Sequence, residues 1–217
     1  MSIIHIETAA PVRPRSFSFS QDWFSNHIPS WERIVSRIRP RRVIEIGCYE
    51  GRATSYMIQR CSEFGPLSLC CIDTWTGSVD LSPTQMAGVE ERFDNNVELA
   101  LSKVTTAVDF RKLKQPSSSA LIQLLSSGER RYDLIYIDGS HTAPDVLLDA
   151  VLAFRLLRIG GVMILDDYLW TMEPQRRVDL LNTPKLAIDA FTSIYMRKLR
   201  ILSDFPNSQC FVEKIAA

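Results

Sequence analysis

Two stretches of this chain carry acids at the ends of apolar runs. They are Asp133-Leu134-Ile135-Tyr136-Ile137-Asp138-Gly139-Ser140-His141 and Gly160-Gly161-Val162-Met163-Ile164-Leu165-Asp166-Asp167-Tyr168. Short runs of Leu, Ile, Val and Tyr between turn signals read as buried parallel strands. The chemistry of open α/β sheets gathers beyond the carboxyl ends of such strands. Two neighbouring strands would bring Asp138, Asp166 and Asp167 together, with His141 one turn away. Three ionised carboxylates in one place repel unless something neutralises them. A hard divalent cation held by oxygen ligands would do so. A histidine, with an ordinary pKa of about 6.5, suits proton removal near neutrality. Its competing role is to cap the helix that begins near Thr142.

A second constellation lies upstream. Glu45-x-Gly47-x-x-x-Gly51 follows the predicted strand Val43–Ile46 and opens a helix. Its glycines let the backbone turn tightly and let a ligand lie close. The spacing differs from the G-x-G-x-x-G loop of dinucleotide folds, and an acid stands two residues before the first glycine, so an NAD-binding reading is disfavoured. The next strand, Leu67 to Ile72, ends at Asp73, where a carboxylate accepts both hydroxyls of a ribose. A turn-capping Asp is the alternative.

These residues need a frame. Helical spacing of Trp23, Phe24, Ile28, Trp31, Ile34, Val35 and Ile38 predicts a helix over 22–38, broken at Pro29 and stopped by Pro40. Helices are also predicted for 52–61, through Glu90, Phe93, Asn96 and Leu99, for 120–126 with Ser117–Ser119 as cap, from Pro144 to Leu157 with Gly160-Gly161 as its stop, and for 186–195. Strands are expected at 104–112, 134–137 and 162–165. A closing hairpin, 200–202 with 210–214, flanks Pro206-Asn207. Alternating strands and helices imply an α/β fold: a doubly wound, Rossmann-like, mostly parallel sheet with one antiparallel strand near the C-terminus and helices on both faces. Residues 1–40 read as an N-terminal arm and helical lead-in on the lid or acceptor side, and 41–217 as the main domain. Trp23, Phe24 and Trp31 look exposed, as a lid or a contact in a homo-oligomer would be.

Composition narrows the partners. The 217 residues are 46% hydrophobic and 23% charged, with Lys+Arg and Asp+Glu balanced at 25 each. No overall field recruits nucleic acid or a membrane surface. Neither a signal-peptide core nor a transmembrane run is evident, so a cytoplasmic address is expected. The five cysteines form no C-x-x-C pair and read as buried hydrophobes.

The chain resembles the class I S-adenosylmethionine-dependent methyltransferases, and within them a small bacterial group related to Mg²⁺-dependent macrolide-sugar and aminocoumarin-sugar O-methyltransferases. The matching stretches are V-I-E-I-G-C-Y-E-G-R-A-T (43–54), C-I-D-T-W-T-G-S (71–78), E-R-F-D-N-N (91–96), Y-I-D-G-S-H-T-A-P-D-V (136–146) and G-G-V-M-I-L-D-D-Y (160–168), with D-W-F-S-N-H-I-P-S-W-E (22–32) as lead-in. The resemblance implies that Glu45, Gly47, Cys48 and Gly51 cradle the methionine part of S-adenosylmethionine. It implies that Asp73 binds the ribose and that Thr74, Trp75 or Ser118 borders the adenine, with Asp138 also at the cofactor. Trp75 is equally a core aromatic, and the serines equally a helix cap. It further implies Mg²⁺ on Asp138, Asp166 and Asp167 and a catalytic base at His141 beside Asp138. The expected reaction is O-methylation of a hydroxyl on a small molecule, a sugar or other secondary metabolite. Two readings stand beside it: a metal-independent methyltransferase acting on a carboxylate, phenol or peptide, and a non-catalytic nucleotide-binding protein.

Overall fold

A computed structural model describes residues 16–79, 81–129, 131–172 and 178–217; His5 and most of the predicted N-terminal arm lie outside them. A helical turn, Ser25–His27, leads into α1 (Ile28–Ile38), followed by β1 (Arg42–Ile46), α2 (Arg52–Cys61), β2 (Leu67–Asp73), α3 (Pro83–Met86), α4 (Val89–Ser102) and β3 (Val108–Lys114). Then come α5 (Ser117–Ser126), β4 (Tyr132–Ile137), α6 (Ala143–Leu156), β5 (Leu157–Leu165), α7 (Pro184–Ile194), β6 (Leu199–Ile201) and β7 (Cys210–Lys214).

The strands form one sheet in the order β3-β2-β1-β4-β5-β7-β6. The first five are parallel, and β7 runs antiparallel between β5 and β6. The chain winds outward from β1 through β2 to β3, then crosses back to lay β4 on the other side of β1. That reversal opens a crevice beyond the carboxyl ends of β1 and β4, where such sheets bind ligands.

Side-chain alternation builds a core on each face. Ile44, Ile46, Cys70, Ile72, Ile135 and Ile137 pack against α5, α6 and α7. Val43, Leu69, Cys71, Leu134, Tyr136, Val162 and Ile164 face α1, α2 and α4. Burying each large apolar side chain contributes about 1.5–3 kcal/mol, so both faces hold the strand ends in fixed register.

Four local expectations need correction. Pro29 does not break a helix; it lies in the first turn of α1, where its missing N–H costs nothing. Phe24 and Trp31 are buried, leaving Trp23 as the exposed aromatic of that segment. Ser117–Ser119 form the first turn of α5, whose cap position is Pro116 with no side-chain cap bond. Gly160 and Gly161 lie inside β5 and do not stop α6. There β5 advances from Leu157 to Val162 while β4 advances from Tyr132 to Leu134, a bulge. A Cβ on Gly161 would lie 3.0 Å from the Tyr132 carbonyl oxygen, and Gly160 has φ +75°. The bulge therefore demands the glycines that read as a helix stop.

Candidate active site

A cavity of about 980 Å³ opens over the β1/β4 crevice. Its floor is the loop after β1. Gly47 has φ +80°, and a Cβ there would lie 2.0 Å from the carbonyl oxygen of Asp138. The Gly47 amide donates to the Ile72 carbonyl at 2.9 Å, and the Asp138 amide donates to that of Ile46 at 2.8 Å. The loop is thus wedged between the ends of β2 and β4. Gly51, with φ +76°, caps α2 beneath the cavity, against the Phe93 ring.

Asp73 ties this loop down. Its Oδ2 accepts the amides of Cys48 at 2.7 Å and Tyr49 at 3.0 Å, and its Oδ1 accepts that of Trp75 at 2.7 Å. One acceptor position on Oδ1 remains. Thr74 and Ser118 line the cavity along with Asp73. Trp75 does not line it: the ring is buried on Phe93, 4.8 Å between centroids, and its indole N–H donates to the Tyr49 carbonyl at 3.0 Å.

Glu45 is buried at the loop's root. It accepts a short hydrogen bond from Thr54 Oγ1 and a longer one, 3.4 Å, from Cys71 Sγ. Burial outweighs these donors and pushes its carboxyl up to about 8, so it carries a proton at neutrality. Cys48 is also buried, and burial drives its thiol well above the ordinary range, away from reactivity.

The acids stand on the opposite wall. Donor atoms of Asp138, His141 and Asp167 lie within 4.8 Å of one another. His141 Nε2 is 2.8 Å from Asp167 Oδ2, its Nδ1 is buried, and its ring lies 4.0 Å from that of Trp170. His141 does not cap α6; Thr142 holds that position. Asp167 has φ +56°, a left-handed conformation that a non-glycine residue adopts at a cost. Asp166 is more enclosed. Its Oδ2 accepts a short bond from the Tyr136 hydroxyl and one of 2.8 Å from Gln209 Nε2, and its Oδ1 accepts the Asp167 amide at 2.7 Å. The Tyr136 hydroxyl also lies 2.8 Å from Asp138 Oδ2.

Burial, with Asp166 and Asp167 close by, holds the Asp138 carboxyl well above the usual carboxylate range. Burial and Asp167 raise Asp166 as well. A cation would relieve that repulsion, and the carboxylate oxygens of this cluster are donors that fit a hard ion such as Mg²⁺ or Mn²⁺. The cluster therefore unites Asp138, Asp167 and His141 directly, with Asp166 behind them. One contributor lies beyond sequence reasoning: Gln209 follows a turn with no local signature and reaches Asp166 only through the fold. Trp170, just past the acids, lines the cavity.

Comparison with known proteins agrees with this architecture. A family model described as a methyltransferase domain matches residues 44–168, more than half of the chain. The uncharacterized protein R132 of Acanthamoeba polyphaga mimivirus is 23% identical over 170 residues, covering 76% of this chain and 68% of its own. The O-methyltransferase from Bacillus cereus, solved in complex with S-adenosylhomocysteine, superposes with a TM-score of 0.61 at 17% identity, covering 90% of this chain and 84% of that one. The O-methyltransferase TomG from Streptomyces achromogenes, involved in tomaymycin synthesis and solved with S-adenosylmethionine, gives 0.58 at 14% identity, covering 87% and 80%. At such identities the two structures speak to the fold, and the family match carries the assignment. With the glycine loop, the Asp73 tether and the β1/β4 crevice in place, this chain belongs to the methyltransferase domain family and is a class I S-adenosylmethionine-dependent methyltransferase.

Proposed function

We propose that this protein transfers a methyl group from S-adenosylmethionine to a hydroxyl oxygen of a small molecule, a sugar or other secondary metabolite, with Mg²⁺ at the acid cluster. The observation that carries this reading is the gathering of Asp138, His141 and Asp167 within 4.8 Å, on the wall of the cavity whose floor is the Gly47 loop. An alcohol is a poor nucleophile until its proton leaves, and a base beside acids at the acceptor side answers that need. Fold relatives named as O-methyltransferases, one of them involved in tomaymycin synthesis, support an oxygen acceptor and secondary metabolism.

In this reading the residues divide the work. The Gly47 loop and Glu45 receive the methionine end, Asp73 offers Oδ1 to the ribose, and Thr74 and Ser118 border the adenine. Asp138 and Asp167 would hold the cation, with Asp166 behind them. When bound, Mg²⁺ supplies Lewis acidity, lowering the pKa of an acceptor hydroxyl and neutralising the acids. His141 Nε2 receives the hydroxyl proton, because Nδ1 is buried. It does so once Asp167 Oδ2 withdraws from it, and the Trp170 ring keeps the imidazole plane in place.

The test is formation of S-adenosylhomocysteine with a panel of hydroxylated acceptors, nucleotide sugars and catechols among them. Chelator should abolish turnover, Mg²⁺ should restore it, and cofactor affinity should stay unchanged. His141→Ala should lower the rate about 10²–10⁴-fold, the range for a positioned base, and remove the acidic limb of the pH profile. Full activity in chelator with an unimpaired His141→Ala variant would favour a carboxylate acceptor, which needs no base.

A further inference from the structure

Gln209 has no part in the chemistry above, yet it is buried, 4% exposed, at the head of β7. Trp31, fully buried on α1, donates its indole N–H to Gln209 Oε1 at 3.1 Å. An indole nitrogen only donates, so the amide must turn its oxygen to Trp31 and its NH₂ the other way. The other way lies Asp166 Oδ2, at 2.8 Å. The amide orientation follows from the chemistry of its two partners and leaves no room for a flip.

The chain of contacts continues. Asp166 Oδ2 also receives the Tyr136 hydroxyl, and Trp31 packs edge-on against that tyrosine ring at 4.8 Å. With Oδ2 held by two donors, Oδ1 takes the Asp167 amide at 2.7 Å. That bond closes on a residue in the left-handed conformation, φ +56°, and Asp167 in turn meets His141 Nε2 at 2.8 Å. Residues 31, 136, 166 and 209 are far apart in sequence and come from α1, β4, the end of β5 and the head of β7.

Taking the cation reading above as given, we propose that Gln209 is a positioning residue for the acceptor side of the site: fixed by Trp31, its amide holds Asp166, which sets Asp167 and so the cation-binding and base groups. The lead-in helix α1 is on this account a structural arm of the active site. Its tryptophan reaches the acids through one amide, while the neighbouring segment that contains Trp23 and His27 lines the cavity.

Binding of Mn²⁺ to the full chain with S-adenosylhomocysteine present, followed by loss of the free-ion EPR signal, tests this without turnover. Gln209→Met keeps the length and removes the amide. It should weaken Mn²⁺ binding about 10–100-fold, as loss of outer partners of metal ligands does, with S-adenosylhomocysteine affinity unchanged. Trp31→Phe keeps a ring in the core but frees the Gln209 amide to flip, and should weaken Mn²⁺ in the same direction by less. It decides the matter if Gln209→Met does not fold. Val212→Ala, a buried β7 residue outside the network, should lower the melting temperature and leave Mn²⁺ affinity alone. Parental Mn²⁺ affinity in the folded variants would overturn the role of Gln209. Failure of the parent itself to bind Mn²⁺ would overturn the cation reading, and this proposal with it.

Discussion

Gly47→Ala tests the loop on which the cofactor site depends. Two costs follow from the structure. An alanine at φ +80° occupies left-handed backbone, at about 1–2 kcal/mol. Its Cβ would also lie 2.0 Å from the Asp138 carbonyl oxygen and 2.4 Å from the carbonyl carbon, whereas ordinary contact begins at 3.4 Å. The neighbour is backbone, anchored by the Asp138 amide bond to Ile46, so no side chain can swing aside. Overpacking of this kind adds about 1–3 kcal/mol. The combined loss, roughly 2–5 kcal/mol, corresponds to a fall in melting temperature of roughly 4–20 °C for a chain of this size. Gly128 provides the control: φ is +79°, but nothing lies within 4 Å of an added Cβ. Gly128→Ala should show only the backbone cost and bind S-adenosylhomocysteine as the parent does. Gly47→Ala should bind it at least about tenfold more weakly, since parting the loop from β4 by more than 1.4 kcal/mol of strain is worth that factor. Equal melting temperatures for the two variants, with equal affinities by calorimetry, would refute the claim that the β1 loop and the β4 end are wedged together.

Asp73→Ala removes the acceptor for three loop amides and should weaken S-adenosylhomocysteine binding by about 1–3 kcal/mol in calorimetry; NAD should bind neither protein. Glu45 keeps its proton in the folded state up to about pH 8, against a usual 4.5. Its contribution to stability is therefore whole below pH 4.5 and is lost as pH rises towards 8, an effect on the order of several kcal/mol. Glu45→Gln preserves the neutral shape, so denaturant unfolding should show a flatter fall in stability over that window. Parallel curves for the two proteins would contradict the buried, protonated acid.

Much of this was legible because the governing signals are local. The strand ends at Asp73, Asp138 and Asp166 follow from short apolar runs closed by acids, and Gly47 and Gly51 mark the turn between β1 and α2. What escaped depends on contacts distant in sequence. Gly160 and Gly161 carry the same letters whether they stop a helix or form a bulge, and only the register of β4 against β5 decides. Trp75 sits beside a cofactor loop in sequence, yet its ring turns to Phe93. Phe24 and Trp31 look exposed in a polar segment and are buried because Tyr136 and Tyr56 receive them. Gln209 has meaning only once β7 inserts beside β5 and sets it opposite Asp166.

The most direct test of the account is a crystal grown with S-adenosylhomocysteine and Mn²⁺, measured at the manganese edge. The nucleoside should lie over the Gly47 loop, with an anomalous peak between the carboxylates of Asp138 and Asp167 and with His141 released from Asp167. Density for the nucleoside with no anomalous peak at the acids, and His141 still on Asp167, would contradict it.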